Sequence, residues 1–158
     1  MSQKILVIGA TGMLGEPVAY QFRSHGFDVR VLTRSPEKAR ARFGSQFEVV
    51  AGDVEDSKTL MPALMGCQGV HINLHGLADP DLERRGAEEV GRLAVKAGIE
   101  RITYISGASV CEENCWFAST RARFEAEKAL QASGVPYTIF RCHYFMETLH
   151  NFAKDGML

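Results

Sequence analysis

The sequence predicts a three-layer, doubly wound α/β fold: a parallel sheet with helices on both faces and strand order 3-2-1-4-5-6. Three observations carry this. Short apolar runs alternate with segments of helical spacing along the whole chain. The first run, Lys4-Ile5-Leu6-Val7-Ile8, reads as a strand buried on both faces. A turn, Gly9-Ala10-Thr11-Gly12-Met13-Leu14-Gly15, joins it to a helix in which Leu14, Val18 and Phe22 recur every four residues. Strand, glycine turn and helix in that order make a phosphate cradle. The glycines let the backbone come close to a diphosphate, and the free N–H groups and dipole of the helix start hold its charge. The ligand implied is a dinucleotide lying across the carboxyl ends of the strands, where the order reverses between the first and the fourth.

The elements follow in order. The first helix should end at His25, with Gly26 taking the left-handed turn behind it, and Pro17 lies deep enough to forfeit one backbone bond. Val29–Thr33 is the second strand, and Ser35-Pro36-Glu37-Lys38 supplies a cap and a first-position proline for a short helix. Phe47–Val50 is the third strand, closing at Gly52-Asp53. Asp56 caps the next helix, which turns Leu60 and Leu64 inward and is shortened or kinked by Pro62. Val70–Leu74 is the fourth strand. Asp79-Pro80 opens the clearest helix, with Leu82, Gly86, Val90, Ala94 and Ala97 on one face and Gly98 as its stop. Ile102–Ser106 is the fifth strand, 107–117 a loop, 118–133 a helix stopped by Gly134, Tyr137–Phe140 the sixth strand, and 143–154 a last helix.

A chain of 158 residues without repeats, low-complexity tracts or linkers reads as one domain. Its net charge of −1 gives no electrostatic footprint for nucleic acid or an anionic membrane. No apolar run reaches the roughly 20 residues of a membrane span, and Met1-Ser2-Gln3-Lys4 passes straight into a strand, so a cytoplasmic location is expected. Of the four cysteines, Cys111 and Cys115 form a C-x3-C pair with no second pair or nearby histidine to complete a metal site. Free thiols and no metal are the expectation.

Candidate ligand contacts cluster at strand ends. Gly9, Gly12 and Gly15 shape the turn, and Thr11 with the N–H groups of Met13 and Leu14 would meet the phosphates. After the second strand, an acid would select NAD by accepting from the ribose 2′-hydroxyl. Thr33-Arg34 stand there instead. A guanidinium can grip a 2′-phosphate, so NADP is favoured over NAD, with Lys38 adding a second charge. The competing reading of Arg34 is a solvated surface residue. Asp53 and Val54 would lie beside the adenine, the carboxylate accepting from its amino group, though Asp53 could instead cap a helix. Leu74, His75 and Gly76 would pass the diphosphate or the nicotinamide ribose, with His75 either a proton donor or polar lining.

Four blocks together carry a resemblance: Ile8-Gly-Ala-Thr-Gly-Met-Leu-Gly15, Gly52-Asp-Val54, Ala97-Gly-Ile-Glu-Arg-Ile-Thr-Tyr-Ile-Ser106, and Glu127 through Ser133-Gly-Val-Pro-Tyr-Thr-Ile-Phe-Arg141. Their order and spacing resemble the NmrA-like group of the atypical and extended short-chain dehydrogenase/reductase superfamily. The resemblance implies a Rossmann fold and NAD(P) binding. That superfamily contains reductases, epimerases and redox-sensing regulators that bind cofactor without turning it over. Its active members carry Tyr-x-x-x-Lys on the helix after the fifth strand, where this chain has Ser119 and Arg123. Serine is too weak an acid for the tyrosine's role, whereas Arg123 could still hold the ribose. Ser106 matches the superfamily's serine at the end of the fifth strand and, without the tyrosine, could position or polarise a substrate.

Relatives continue well past the sixth strand into a substrate-binding segment, whereas one helix follows Arg141 here, and Cys142 stands where they often have proline. The cofactor half is expected to be complete and the substrate half missing or much reduced. Two functions stay open: an NADPH-dependent oxidoreductase of a small carbonyl or quinone, and a non-catalytic NADP(H)-binding sensor acting through a partner protein. A sugar-nucleotide epimerase is opposed by the lost tyrosine. A homodimer is compatible with either.

Overall fold

The computed structural model describes residues 2–75 and 79–146. Six strands, β1 (Lys4–Ile8), β2 (Asp28–Thr33), β3 (Glu48–Ala51), β4 (Gly69–Ile72), β5 (Arg101–Gly107) and β6 (Tyr137–Cys142), form one sheet in the order β3-β2-β1-β4-β5-β6. Every pairing is parallel. Ile8 pairs with both Leu32 and Ile72, so β1, β2 and β4 end side by side. The crevice at the reversal therefore opens directly above the glycine turn.

Apolar residues on both sides of β1 explain its central place. Leu6 and Ile8 enter a core beneath α3 (Ser57–Leu64), α4 (Leu82–Ala97) and α5 (Ala118–Ala132). Val7 enters a second core beneath α1 (Gly15–Ser24) and α2 (Pro36–Phe43), where Ala19, Phe43 and Phe47 meet it. On this second face the described residues provide no helix over β5 and β6. A groove of about 740 Å³ runs there between α1 and the strands, walled by Val18, Phe22, Ile105 and Phe140. Among the described residues no helix is long and apolar enough to cross a membrane.

Several boundaries depart from the sequence reading. Pro17 is the third residue of α1, within the turn whose N–H groups have no helical acceptor, and so forfeits nothing. Gly26 does take a positive φ of 87° behind α1. Ser35 precedes Pro36 without capping by its side chain; its N–H instead donates to Thr33 Oγ1. Asp56 caps α3 as expected, accepting from the Lys58 N–H at 3.0 Å, and Pro62 stays inside that helix. Asp79-Pro80 does not open α4 directly. Asp79 takes the N–H groups of Asp81 and Leu82 into one preliminary turn, and the helix starts at Leu82. A short 3-10 turn, Glu112–Asn114, interrupts the loop after β5. Of the last helix expected over 143–154, His143 to Phe145 are not helical and 147–154 lie outside the described residues.

One polar group sits deep in the sheet. His71 on β4 is 3% exposed, with Nδ1 2.8 Å from Thr103 Oγ1 and the Phe22 ring edge-on at 5.8 Å. The Thr103 hydroxyl is the one polar partner of Nδ1 among the described residues, and Nε2 has none among them. Burial pushes the His71 pKa down to about 4, so the ring is neutral at pH 7.

Candidate functional site

The turn after β1 is built by close backbone contacts. Gly9 has a φ of 80°, and a Cβ placed on it would lie 1.8 Å from the Asn73 carbonyl oxygen. A Cβ on Gly15 would lie 2.1 Å from the Gly9 oxygen. These two glycines are required by packing alone. Gly12 is different: its Cβ would meet only the Gly9 oxygen, at 3.3 Å, with nothing else within 4 Å. Its N–H donates back to Gly9 O at 3.1 Å, and its carbonyl accepts from Glu16 N–H at 3.0 Å. Between them, the N–H groups of Met13 and Leu14 find no acceptor among the described residues, and Leu14 is the N-cap of α1. Two free donors at a helix start, behind a glycine that leaves space open, fit the diphosphate of a dinucleotide.

A pocket of about 430 Å³ adjoins the turn. Gly9, Thr11, Thr33, Arg34, Lys38, Asp53, Val54 and Leu74 all line it, so residues from four separate strand ends do converge. Arg34 is 79% exposed and only 3.9 Å from Asp53 Oδ2, a contact loose enough to leave its fork of donors available. Asp53 holds the turn after β3, its Oδ1 accepting from Glu55 N–H, while the helix cap is Asp56. Val54 belongs to the core and packs with Leu74 against the space at Gly86. Met13 and Leu14 line the apolar groove and not this pocket. His75 is exposed beyond β4, and Gly76 lies outside the described residues.

Sequence reasoning missed Arg42. It lines the pocket, and its Nη1 donates to Thr11 O at 2.8 Å and lies 3.3 Å from Glu16 Oε2. The available signal was spacing: Lys38 and Arg42 fall four apart on α2, and Arg34 stands four positions before Lys38.

Ser106 and Arg123 are not brought to this pocket. Ser106 is buried, and its hydroxyl donates to Glu127 Oε1 at 2.5 Å. Arg141 grips the same carboxylate with two donors, at 3.1 and 2.6 Å. Arg123 forks onto buried Glu83 at 3.0 and 3.2 Å, and Tyr104 donates its hydroxyl to Glu83 as well. Burial and the Glu83 charge hold the Tyr104 hydroxyl well above its ordinary pKa, so it stays protonated. Each buried carboxylate is thus paired and hydrogen-bonded, as low dielectric demands. These groups clamp α4, α5, β5 and β6 together. The pocket beside the glycine turn carries three cations, Arg34, Lys38 and Arg42, and apolar residues, Leu32, Val54 and Leu74, a lining suited to an anionic ligand with a flat ring.

Comparison with known proteins agrees with this geometry. A family model described as NAD(P)H-binding matches residues 9–151, and the chain belongs to that family. The (4-alkanoyl-5-oxo-2,5-dihydrofuran-3-yl)methyl phosphate reductase of Streptomyces griseus is 36% identical over 149 residues, covering 94% of this chain and 50% of that protein. The NAD(P)H azoreductase of Xenophilus azovorans is 26% identical, covering 95% of this chain and 51% of that one. The Citrobacter triphenylmethane reductase solved with NADP(H) superposes with a TM-score of 0.78 at 24% identity, over 96% of this chain and 55% of that one, and so shares the fold. The chain spans about half the length of these relatives. It is a Rossmann protein of the NAD(P)H-binding family, in keeping with the NmrA-like resemblance.

Proposed function

We propose that the chain binds NADP(H) in preference to NAD(H) and serves an oxidoreductase of a small carbonyl or quinone. The observation that carries the preference is Arg34, exposed at the end of β2 where an acid would select NAD, with Lys38 beside the same pocket and Asp53 coming from the end of β3 at 3.9 Å. When bound, the nicotinamide supplies a hydride. The chain's own residues hold the diphosphate at the turn, grip the 2′-phosphate through Arg34 and Lys38, and pack the adenine near Val54. The relatives named as reductases support the activity; this chain's part in it is to place the cofactor.

The second reading is a redox sensor without turnover. It is favoured by Ser119 at the superfamily's tyrosine position and by the engagement of the Ser106 hydroxyl with Glu127. Calorimetric titration of the wild type and Arg34→Ala with NADPH and NADH tests the binding claim. Loss of one charge-assisted grip should weaken NADPH about tenfold and leave NADH unchanged; equal weakening of both would refute it. Steady NADPH oxidation with quinones or aldehydes then favours the reductase. Unequal affinity for oxidised and reduced cofactor without turnover favours the sensor.

A further inference from the structure

We infer that Arg42 is a positioning residue for the diphosphate: it holds the Thr11 carbonyl away from the cradle. Arg42 stands in the last turn of α2, and its backbone is itself anchored. Tyr20 from α1 donates its hydroxyl to the Arg42 carbonyl at 3.1 Å, and the Tyr20 ring lies 5.7 Å from Phe43 and 5.1 Å from Phe47. From that base the guanidinium reaches the glycine turn, donating to Thr11 O at 2.8 Å with Glu16 Oε2 at 3.3 Å.

The Thr11–Gly12 peptide is held at both ends: its N–H donates to Gly9 O at 3.1 Å, and its carbonyl accepts from Arg42. Without the guanidinium, a carbonyl oxygen swung toward a diphosphate would set negative beside negative. The guanidinium prevents this by holding that oxygen, while the Glu16 carboxylate holds the guanidinium. Its side chain is 48% exposed, so Arg42 is no core strut, and its charge also stands at the pocket that receives the anion.

This inference rests on the turn cradling a diphosphate, but it separates Arg42 from Arg34. Arg34 is expected to read the 2′-phosphate. Arg42 is expected to act on the part common to both cofactors.

Titrate the wild type, Arg42→Ala and Arg42→Lys with NADH and NADPH by calorimetry, and with 2′-AMP (a 2′-phosphate without a diphosphate) by chemical-shift change. Arg42→Ala should weaken both dinucleotides about tenfold and equally, leave 2′-AMP within about twofold, and be partly rescued by lysine, which can still donate to Thr11 O. Weakening of NADPH alone would make Arg42 part of the 2′-phosphate grip and overturn the inference. A parallel loss for all three ligands would reduce it to general pocket structure, and no change would remove it outright. If the wild type binds neither dinucleotide, the diphosphate reading itself falls and takes this inference with it.

Discussion

Gly9→Ala should destabilise the protein by about 4 kcal/mol or more, whereas Gly12→Ala should cost only about 1 kcal/mol and yet abolish most dinucleotide affinity. The two positions look alike in sequence but not in space. At Gly9 a methyl group would lie 1.8 Å from the Asn73 carbonyl oxygen, and the φ of 80° disfavours any side chain. The carboxyl ends of β1 and β4 would have to part, spoiling the Asn73 N–H to Ile8 O bond of 3.1 Å that ties them. At Gly12 the added carbon meets one oxygen at 3.3 Å and otherwise fills the open space that a diphosphate needs. Urea denaturation and calorimetric titration of both variants measure the split. Should Gly12→Ala bind NADPH as tightly as the wild type, that space is not where the diphosphate sits.

Acid should unfold the protein partly through His71. The folded pKa is about 4 against an ordinary 6.5, so between these values the unfolded chain takes up a proton that the folded one refuses. The neutral ring's contribution is therefore complete above pH 6.5 and is lost progressively as the pH falls toward 4. A gap of that size corresponds to about 3 kcal/mol. Carboxylates contribute mainly below pH 5, so the interval from pH 6.5 to 5 isolates the imidazole. Denaturation midpoints should fall steadily across it, and His71→Asn should flatten that slope. An equal slope in the variant would assign the acid sensitivity to other groups. Thr103 and Phe22 flank the ring where it borders the groove beside α1.

Local chemistry was readable in the sequence; contacts between distant elements were not. The sheet order followed from the alternation of runs and the glycine turn, and Asp56, Gly26 and Gly98 took the cap and stop positions expected of them. These features depend on residues a few positions apart. The convergence of Thr11, Arg34, Asp53 and Leu74 was also legible, because a doubly wound sheet brings those strand ends together. Arg42 escaped notice because its partner, Thr11, lies 31 residues away across two elements. Ser106 was weighed by its place at the end of β5, but the hydroxyl proton goes to Glu127, 21 residues on, along with Arg141 from β6. Asp79-Pro80 carries the signature of a helix start, and the extra turn came from a tertiary demand: Arg85 reaches back to Asp79 and across to Glu55.

Backbone donors that hold a diphosphate after β1 must report its arrival when NADPH is added to the 15N-labelled protein and the amide signals of Met13 and Leu14 are followed. They should move together and saturate, with Arg34 responding in the same titration. Saturable binding that leaves both amides unmoved would contradict this.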